Sequence, residues 1–320
     1  MSEILIGVSS CLLGRKVRYD GGDKRDHFVL DVLGPHVEFV PVCPEVELGL
    51  GTPRETLRLV RRGDDIRMVM AHGEDHTDAM RRYAARRVAE LEREDLSGYI
   101  LKKDSPSCGM ERVSVYPEPS PDKGHQPAGK TGRGLFAEAL LARMPHLPVE
   151  EEGRLQDARL RDNFIERVFA WRRLKTLFAG RWTMGDLVRF HTAHTLVLLS
   201  HSTVADKELG RLVAAGKDTP RAELRDRYAA GFMQALAKMA TMRTHTNVLQ
   251  HMAGYFKRTL DKPSRDELLG SIEDYRRGLV PLIVPMTLFK HHVRAQGVEY
   301  LAGQVYLDPH PKELMLRNHV

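Results

Sequence analysis

Three cysteines carry the clearest capacity for chemistry in this 320-residue chain: Cys11 in "SSCLLG", Cys43 in "VPVCPE" and Cys108 in "SPSCG". Each sits among Gly, Pro and Ser, in stretches that read as turns, where an apolar thiol is poorly hidden. An odd, low cysteine number argues against a disulfide framework. Three thiolates are enough to hold zinc with a fourth ligand, or a [4Fe–4S] cluster with one iron left open. The CxxC knuckles of structural zinc and the ferredoxin spacings are both missing from the sequence, so spacing leaves the metal undecided. Glu45 follows Cys43 by two residues, near enough to serve as general base on a metal-bound substrate. Ser105 and Ser107 precede Cys108, led by Lys102, Lys103 and Asp104, while Arg15, Arg18, Tyr19 and Asp20 follow Cys11. Either lysine could stabilise a developing anion or simply cap a strand end in solvent. Asp20 before Gly21 and Gly22 is equally an ordinary turn former.

The elements that must position these residues alternate in type. "EILIGVSS" (3–10), "VEFVPV" (37–42) and "GYILKK" (98–103) read as buried strands. Between them lie helical patterns over 23–34, closed by Gly34, and over 76–95, where Met80, Tyr83, Val88 and Leu91 share a stripe. A last helix is expected over 132–145. Strands alternating with helices imply an α/β domain with a mostly parallel sheet. The cysteines come just after the three strands, so they should converge on the carboxyl edge, where open α/β sheets gather ligands.

The second half reads as all-α. Helices are expected over 154–181, 185–200, 222–240, 245–260 and 264–278, with Pro281 and Pro285 breaking the stretch that follows. The boundary is expected in "PHLPVEEEG" (145–153), dividing an α/β domain over 1–148 from a helical domain over 154–320. His191, His194 and His201, like His245 and His251, are expected to pack or touch phosphate rather than bind metal.

Charge separates the halves too. Residues 1–150 hold 22 Lys and Arg against 24 Asp and Glu, whereas residues 151–320 hold 27 against 19. The excess positive charge lies entirely in the helical half and suits a nucleic-acid partner. The window 154–181 has eight basic and three acidic residues, which makes Arg161, Arg172, Arg173 and Lys175 the candidate contact surface. No apolar run is long enough to span a bilayer. The start, "MSEILIGVSSCLLG", lacks the basic region of a signal peptide, so a cytoplasmic location is expected.

Three stretches, "SSCLLGRKVRYDGG", "VPVCPEVELGLGTPRE" and "LKKDSPSCG", resemble the thiouracil desulfidase family over about residues 3–145. That resemblance implies a [4Fe–4S] cluster on Cys11, Cys43 and Cys108, whose open iron takes the sulfur of a thiocarbonyl, with Glu45 and Ser105 as catalytic residues. Farther on, "NVLQHMAGYFKRTL", "YRRGLVPLIVPMTLFKHH" and "YLAGQVYLDPHP" resemble a helical domain often fused to that desulfidase domain. The fused arrangement is similar to tRNA 4-thiouridine desulfidases, which implies hydrolytic, non-redox conversion of 4-thiouridine to uridine with release of sulfide. Turnover of free thiouracil-type bases is the nearest alternative. A non-catalytic iron–sulfur RNA-binding or sensory protein, and then a zinc hydrolase, follow.

Overall fold

The computed structural model describes residues 4–117 and 129–320, and the chain divides into two compact units, 1–156 and 157–320. Glu3, the first residue of the strand expected over 3–10, lies outside the described residues.

The first unit is α/β. In chain order it contains β1 (Leu5–Ser9), β2 (Glu38–Val42), the one-turn α1 (Pro44–Glu47), β3 (Leu57–Arg62), β4 (Asp65–Met70) and α2 (Thr77–Arg93). Then come β5 (Gly98–Leu101), β6 (Val113–Tyr116), β7 (Gly129–Gly132), α3 (Leu135–Arg143) and β8 (Val149–Glu151). Strands β2, β1, β5 and β8 form a wholly parallel sheet in that order. The central strands β1 and β5 are covered on both faces and are apolar runs. Ile6, Val8, Tyr99, Ile100 and Leu101 are accordingly removed from solvent. The stripe of Met80, Tyr83, Val88 and Leu91 on α2 is buried as well, and Phe136 of α3 packs its ring 5.9 Å from that of Tyr99.

A second sheet, β4-β3-β6-β7, is not foreshadowed by the sequence pattern. Its first hairpin turns through Gly63, whose φ of 60° lies in the left-handed region where glycine is at ease. Arg58, Arg61, Arg62 and Arg67 break up its apolar alternation, and β7 is only "GKTG". The helix expected over 23–34 shortens to a π-type turn, Phe28–Leu33, followed by a 3-10 turn over Gly34–His36. The acidic run read as a boundary is instead β8, paired with β5. The carboxylates of Glu150, Glu151 and the following Glu152 each find a local partner. Glu150 meets Arg154 at 2.7 Å, Glu151 accepts the Met110 N–H at 2.7 Å, and Glu152 takes the Lys102 ammonium at 2.6 Å.

The second unit is mostly helical: α4 (Ala158–Phe178), α5 (Met184–His201), α6 (Thr203–Ala214), α7 (Arg221–Ala237), α8 (Met242–Gly254), α9 (Lys262–Arg276), α10 (Ile283–Gln296) and α11 (Glu299–Ala302). α6, which no expected helix covers, starts from the Ser202 side chain capping the Ala205 N–H. Pro285 is tolerated because it sits in the first turn of α10, where N–H groups have no helical partner. No helix among the described residues is long and apolar enough to cross a membrane.

α4 runs through the core of this unit, burying Phe164, Ile165, Val168, Phe169 and Leu174. The open basic face expected on it is therefore not there. The Arg173 guanidinium turns inward and donates to the Pro309 carbonyl at 2.6 Å, and burial lowers its pKa. Arg161, Arg172 and Lys175 are half-buried and engaged with neighbours.

Glu166 of α4 is buried and accepts from His201 Nε2 at 2.9 Å and from Arg317 Nη2 at 3.5 Å. His201 Nδ1 donates to the Lys238 carbonyl at 2.6 Å, so both ring nitrogens face acceptors and the imidazole is cationic. Burial opposes that charge, but the Glu166 carboxylate outweighs it and raises the His201 pKa. Glu166→Gln should strand two buried cations and destabilise this unit by about 3 kcal/mol in chemical denaturation. An unchanged midpoint and slope would show that the pair is dispensable.

Candidate functional site

β1 ends at Ser9, and the chain turns at once into a 3-10 turn, Ser10–Leu13, that carries Cys11. Gly14 closes the turn at φ 77°, a left-handed conformation that glycine adopts without strain. Cys43 is the residue between β2 and α1, with Pro44 preorganising the first helical position. Its N–H donates to Glu47 Oε1 at 3.0 Å. Cys108 follows β5 in a turn held by the Gly109 N–H on the Ser105 carbonyl at 2.8 Å. The Ser105 hydroxyl oxygen accepts the N–H groups of Ser107 (3.3 Å) and Cys108 (3.1 Å). Gly134, at the start of α3, lets this turn pack on bare backbone: a Cβ there would stand 2.3 Å from the Ser107 carbonyl oxygen.

These three turns meet. All three thiols line one cavity of about 450 Å³, together with Glu45, Ser105 and Arg54. Its wall is cationic, with Arg18, Lys24 and Lys102 also facing the space. Among the described residues no three His, Cys, Asp or Glu side chains are grouped to grip a single metal ion. Burial pushes the Cys11 thiol up to about 11 and, with Glu45 adding to it, the Cys43 thiol up to about 12. Cys108 is raised well above the usual thiol range, again chiefly by burial. Such sulfurs become thiolates only beside a compensating positive centre, which is what metal ligation supplies.

Glu45 is buried and held from several sides. Ser107, fully buried, donates its hydroxyl to Glu45 Oε1, and the Ser105 hydroxyl stands 3.5 Å from the same oxygen. The other carboxylate oxygen faces the Cys43 sulfur at 3.6 Å and the Arg54 guanidinium at 3.9 Å. Arg54 is anchored in turn by the carbonyls of Val17 (3.0 Å) and Gly51 (2.9 Å). Both lysines line the cavity, Lys102 with its ammonium on Glu152 and the more exposed Lys103 with its N–H on Glu152 at 2.8 Å. Arg15 stays exposed outside the cavity lining, and Asp20 caps the Gly22 N–H at 3.0 Å as a turn former.

Three pairings of functional residues escape a reading of the sequence by position. Ser107 is separated from Glu45 by 62 residues, and Glu152 from Lys102 by 50. Arg54 lies inside the "GTPRE" stretch without any cue to its partner. Ser107 was visible only as the residue directly before Cys108, not as a partner of Glu45.

His191, His194 and His245 of the second unit pack, whereas His251 is exposed. His194 stacks on Phe190 with ring centroids 4.0 Å apart and donates to the Phe190 carbonyl, and burial lowers its pKa to about 4. His191 contacts the Tyr228 hydroxyl at 3.1 Å and His245 the Tyr306 hydroxyl at 2.8 Å.

Comparison with known proteins adds relatives for both units. The family model described as 2-thiouracil desulfurase matches residues 6–152, and one for a protein of unknown function (DUF1722) matches residues 196–311. The uncharacterized protein YbgA of Escherichia coli (strain K12) is 34% identical over 164 residues, 50% of this chain and 95% of its own length. The uncharacterized protein YbbK of Bacillus subtilis (strain 168) is 35% identical over 111 residues, 33% of this chain and 73% of its own. Among solved structures, the [4Fe–4S]-dependent thiouracil desulfidase TudS is 34% identical, with 48% of this chain and 94% of that one covered and a TM-score of 0.39. The chain thus belongs, through the unit that bears the three-cysteine cavity, to the 2-thiouracil desulfurase family, with a DUF1722 domain following.

Proposed function

We propose that this protein hydrolyses the thiocarbonyl of 4-thiouridine in tRNA to a carbonyl, releasing sulfide, at a cluster held by Cys11, Cys43 and Cys108. The observation that carries the reading is the convergence of three desolvated thiols and one positioned carboxylate on a single cavity in a chain of this family. Thiols spread around a cavity suit a multi-iron cluster better than a single ion. A [4Fe–4S] cluster with three protein ligands supplies an open iron, a soft Lewis acid matched to sulfur.

The chain's own residues do the rest. Glu45, pinned at Oε1 by Ser107, takes a proton from the water that attacks the ring carbon. Water adds its oxygen to that carbon and sulfide leaves, so no electrons are consumed. Ser105 holds the cysteine turn through its two accepted N–H groups and presents its hydroxyl to the cavity beside Glu45. Arg18, Lys24, Arg54 and Lys102 favour an anionic, nucleotide-bearing substrate over a neutral base. The net positive charge of residues 151–320 supports a polyanion such as tRNA. The family description names 2-thiouracil, which keeps free thiopyrimidines as the second reading.

Anaerobically reconstituted protein, given 4-thiouridine-containing tRNA or free thiouracil without a reductant, separates these readings. Uridine and sulfide should form one to one, with tRNA the better substrate by kcat/KM. Turnover of thiouracil alone would move the assignment to free bases.

Ser107 tests the positioning of the base. Ser107→Ala should lower kcat roughly tenfold with KM nearly constant, the scale of one lost hydrogen bond to a charged group. Iron content should stay at the unmutated level, and Ser107→Thr should restore most of the rate. A Ser107→Ala enzyme with full kcat would show that Glu45 does not depend on that hydroxyl.

A further inference from the structure

We infer that the second unit meets RNA at an exposed aromatic platform formed by Tyr255 and Tyr300 and flanked by Lys257 and Arg258, on which an unpaired base stacks. This rests on the reading that the substrate is RNA, and it relocates the interface from Arg161, Arg172, Arg173 and Lys175 of α4, which are engaged.

Tyr255 is the C-cap residue of α8, and Tyr300 lies in α11. Their rings are stacked, 5.1 Å between centroids and 14° between planes, and Tyr255 remains 40% exposed. His251, one turn earlier and also exposed, stands edge-on to Tyr255 at 5.8 Å. Tyr300 is half-buried and packs on the helical core, so it is the exposed Tyr255 ring stacked on it that offers a π-face to which a base can add.

The platform is braced from below. Gln304, buried just after α11, accepts the Leu196 N–H at 3.2 Å and donates to the Thr192 carbonyl at 2.8 Å, tying this segment to α5. Phe256, next to Tyr255, is fully buried and anchors the turn from which Lys257 and Arg258 project into solvent. Aromatic and cationic groups are thereby fixed on one short segment.

Charge commits the occupant to a polyanion. Residues 238–260 contain four Lys and Arg and no Asp or Glu. Asp206 bears on Tyr300 and the exposed Glu299 precedes it, so the cationic end of the platform is the one that carries Lys257 and Arg258. Flat π-surface beside unbalanced cations is the combination that binds unpaired nucleotides, stacking supplying the base contact and the cations the phosphate contact.

The test is equilibrium binding of thiolated tRNA to the reconstituted full chain, read by fluorescence anisotropy across a salt series. Tyr255→Ala should raise Kd about tenfold, within the range for one lost base–aromatic stack, while Tyr255→Trp should preserve binding. Lys257→Ala with Arg258→Ala should weaken binding and reduce the slope of log K against log salt by about 2. These two side chains are exposed, so that variant keeps the test alive if Tyr255→Ala proves unstable in a thermal melt. Unchanged affinity and salt slope in folded variants would overturn the platform while leaving the substrate reading intact. A wild-type chain that binds no tRNA would instead overturn the substrate reading, and the platform with it.

Discussion

Replacing any one of Cys11, Cys43 and Cys108 by alanine is expected to strip the protein of iron and abolish sulfide release. The three thiols come from three separate strand ends around one cavity, so none can stand in for another. Each is held above its ordinary pKa by burial, so a sulfur without its metal reverts to a neutral thiol. With one ligand gone, two irons rather than one would lack protein sulfur, and the cluster would be open to loss. The substitution removes only a small side chain, and the fold should survive, as a thermal melt of the iron-free protein can verify. Iron and acid-labile sulfide per chain are the readouts. One alanine variant that kept both, and turned over normally, would remove that cysteine from the ligand set.

Glu45→Gln is expected to keep the cluster and lose roughly 10²–10⁴-fold in kcat, the range for removing a general base. The change is close to isosteric. The amide oxygen can still accept from Ser107 and Ser105, so the local geometry is preserved while the ability to take a proton is lost. This separates basicity from packing in a way that Glu45→Ala cannot. Arg54, anchored independently by the carbonyls of Val17 and Gly51, should hold its place in the variant. A fall in iron content in step with rate would show that the Glu45 carboxylate is a ligand rather than a base.

Much of this site could be seen in the sequence because its parts follow strands. A buried parallel strand announces itself as a short apolar run, and "ILIGVS" and "YIL" did so, while "FVPV" formed the half-buried edge strand β2. Cysteines placed just beyond such runs share an edge by topology alone, which is why Cys11, Cys43, Cys108, Glu45 and Ser105 come together in one cavity. What stayed hidden depends on contacts that no local pattern encodes. The Lys102 N–H finds the Ser9 hydroxyl across 93 residues, and Ser107 finds Glu45 across 62. The run "EEE" at 150–152 looked like a linker because charge usually marks solvent, yet Arg154, Met110 and Lys102 neutralise or satisfy each carboxylate and let it pair as β8. The second sheet escaped because arginines interrupt its alternation. In the helical unit, hydrophobic periodicity located most helices but not how far the buried surface reaches around each. α4 illustrates this: its arginines suggested an open surface, and Arg173 turned inward to the Pro309 carbonyl.

The most direct test of the account is Mössbauer spectroscopy of the anaerobically reconstituted full chain, with and without a thiocarbonyl pyrimidine. Three protein thiols leave one iron of a [4Fe–4S] cluster without a cysteine, so one iron subsite should shift when the ligand is added while the other three stay put. A spectrum in which no subsite responds, or a reconstituted protein that is active with zinc and no iron, would contradict it.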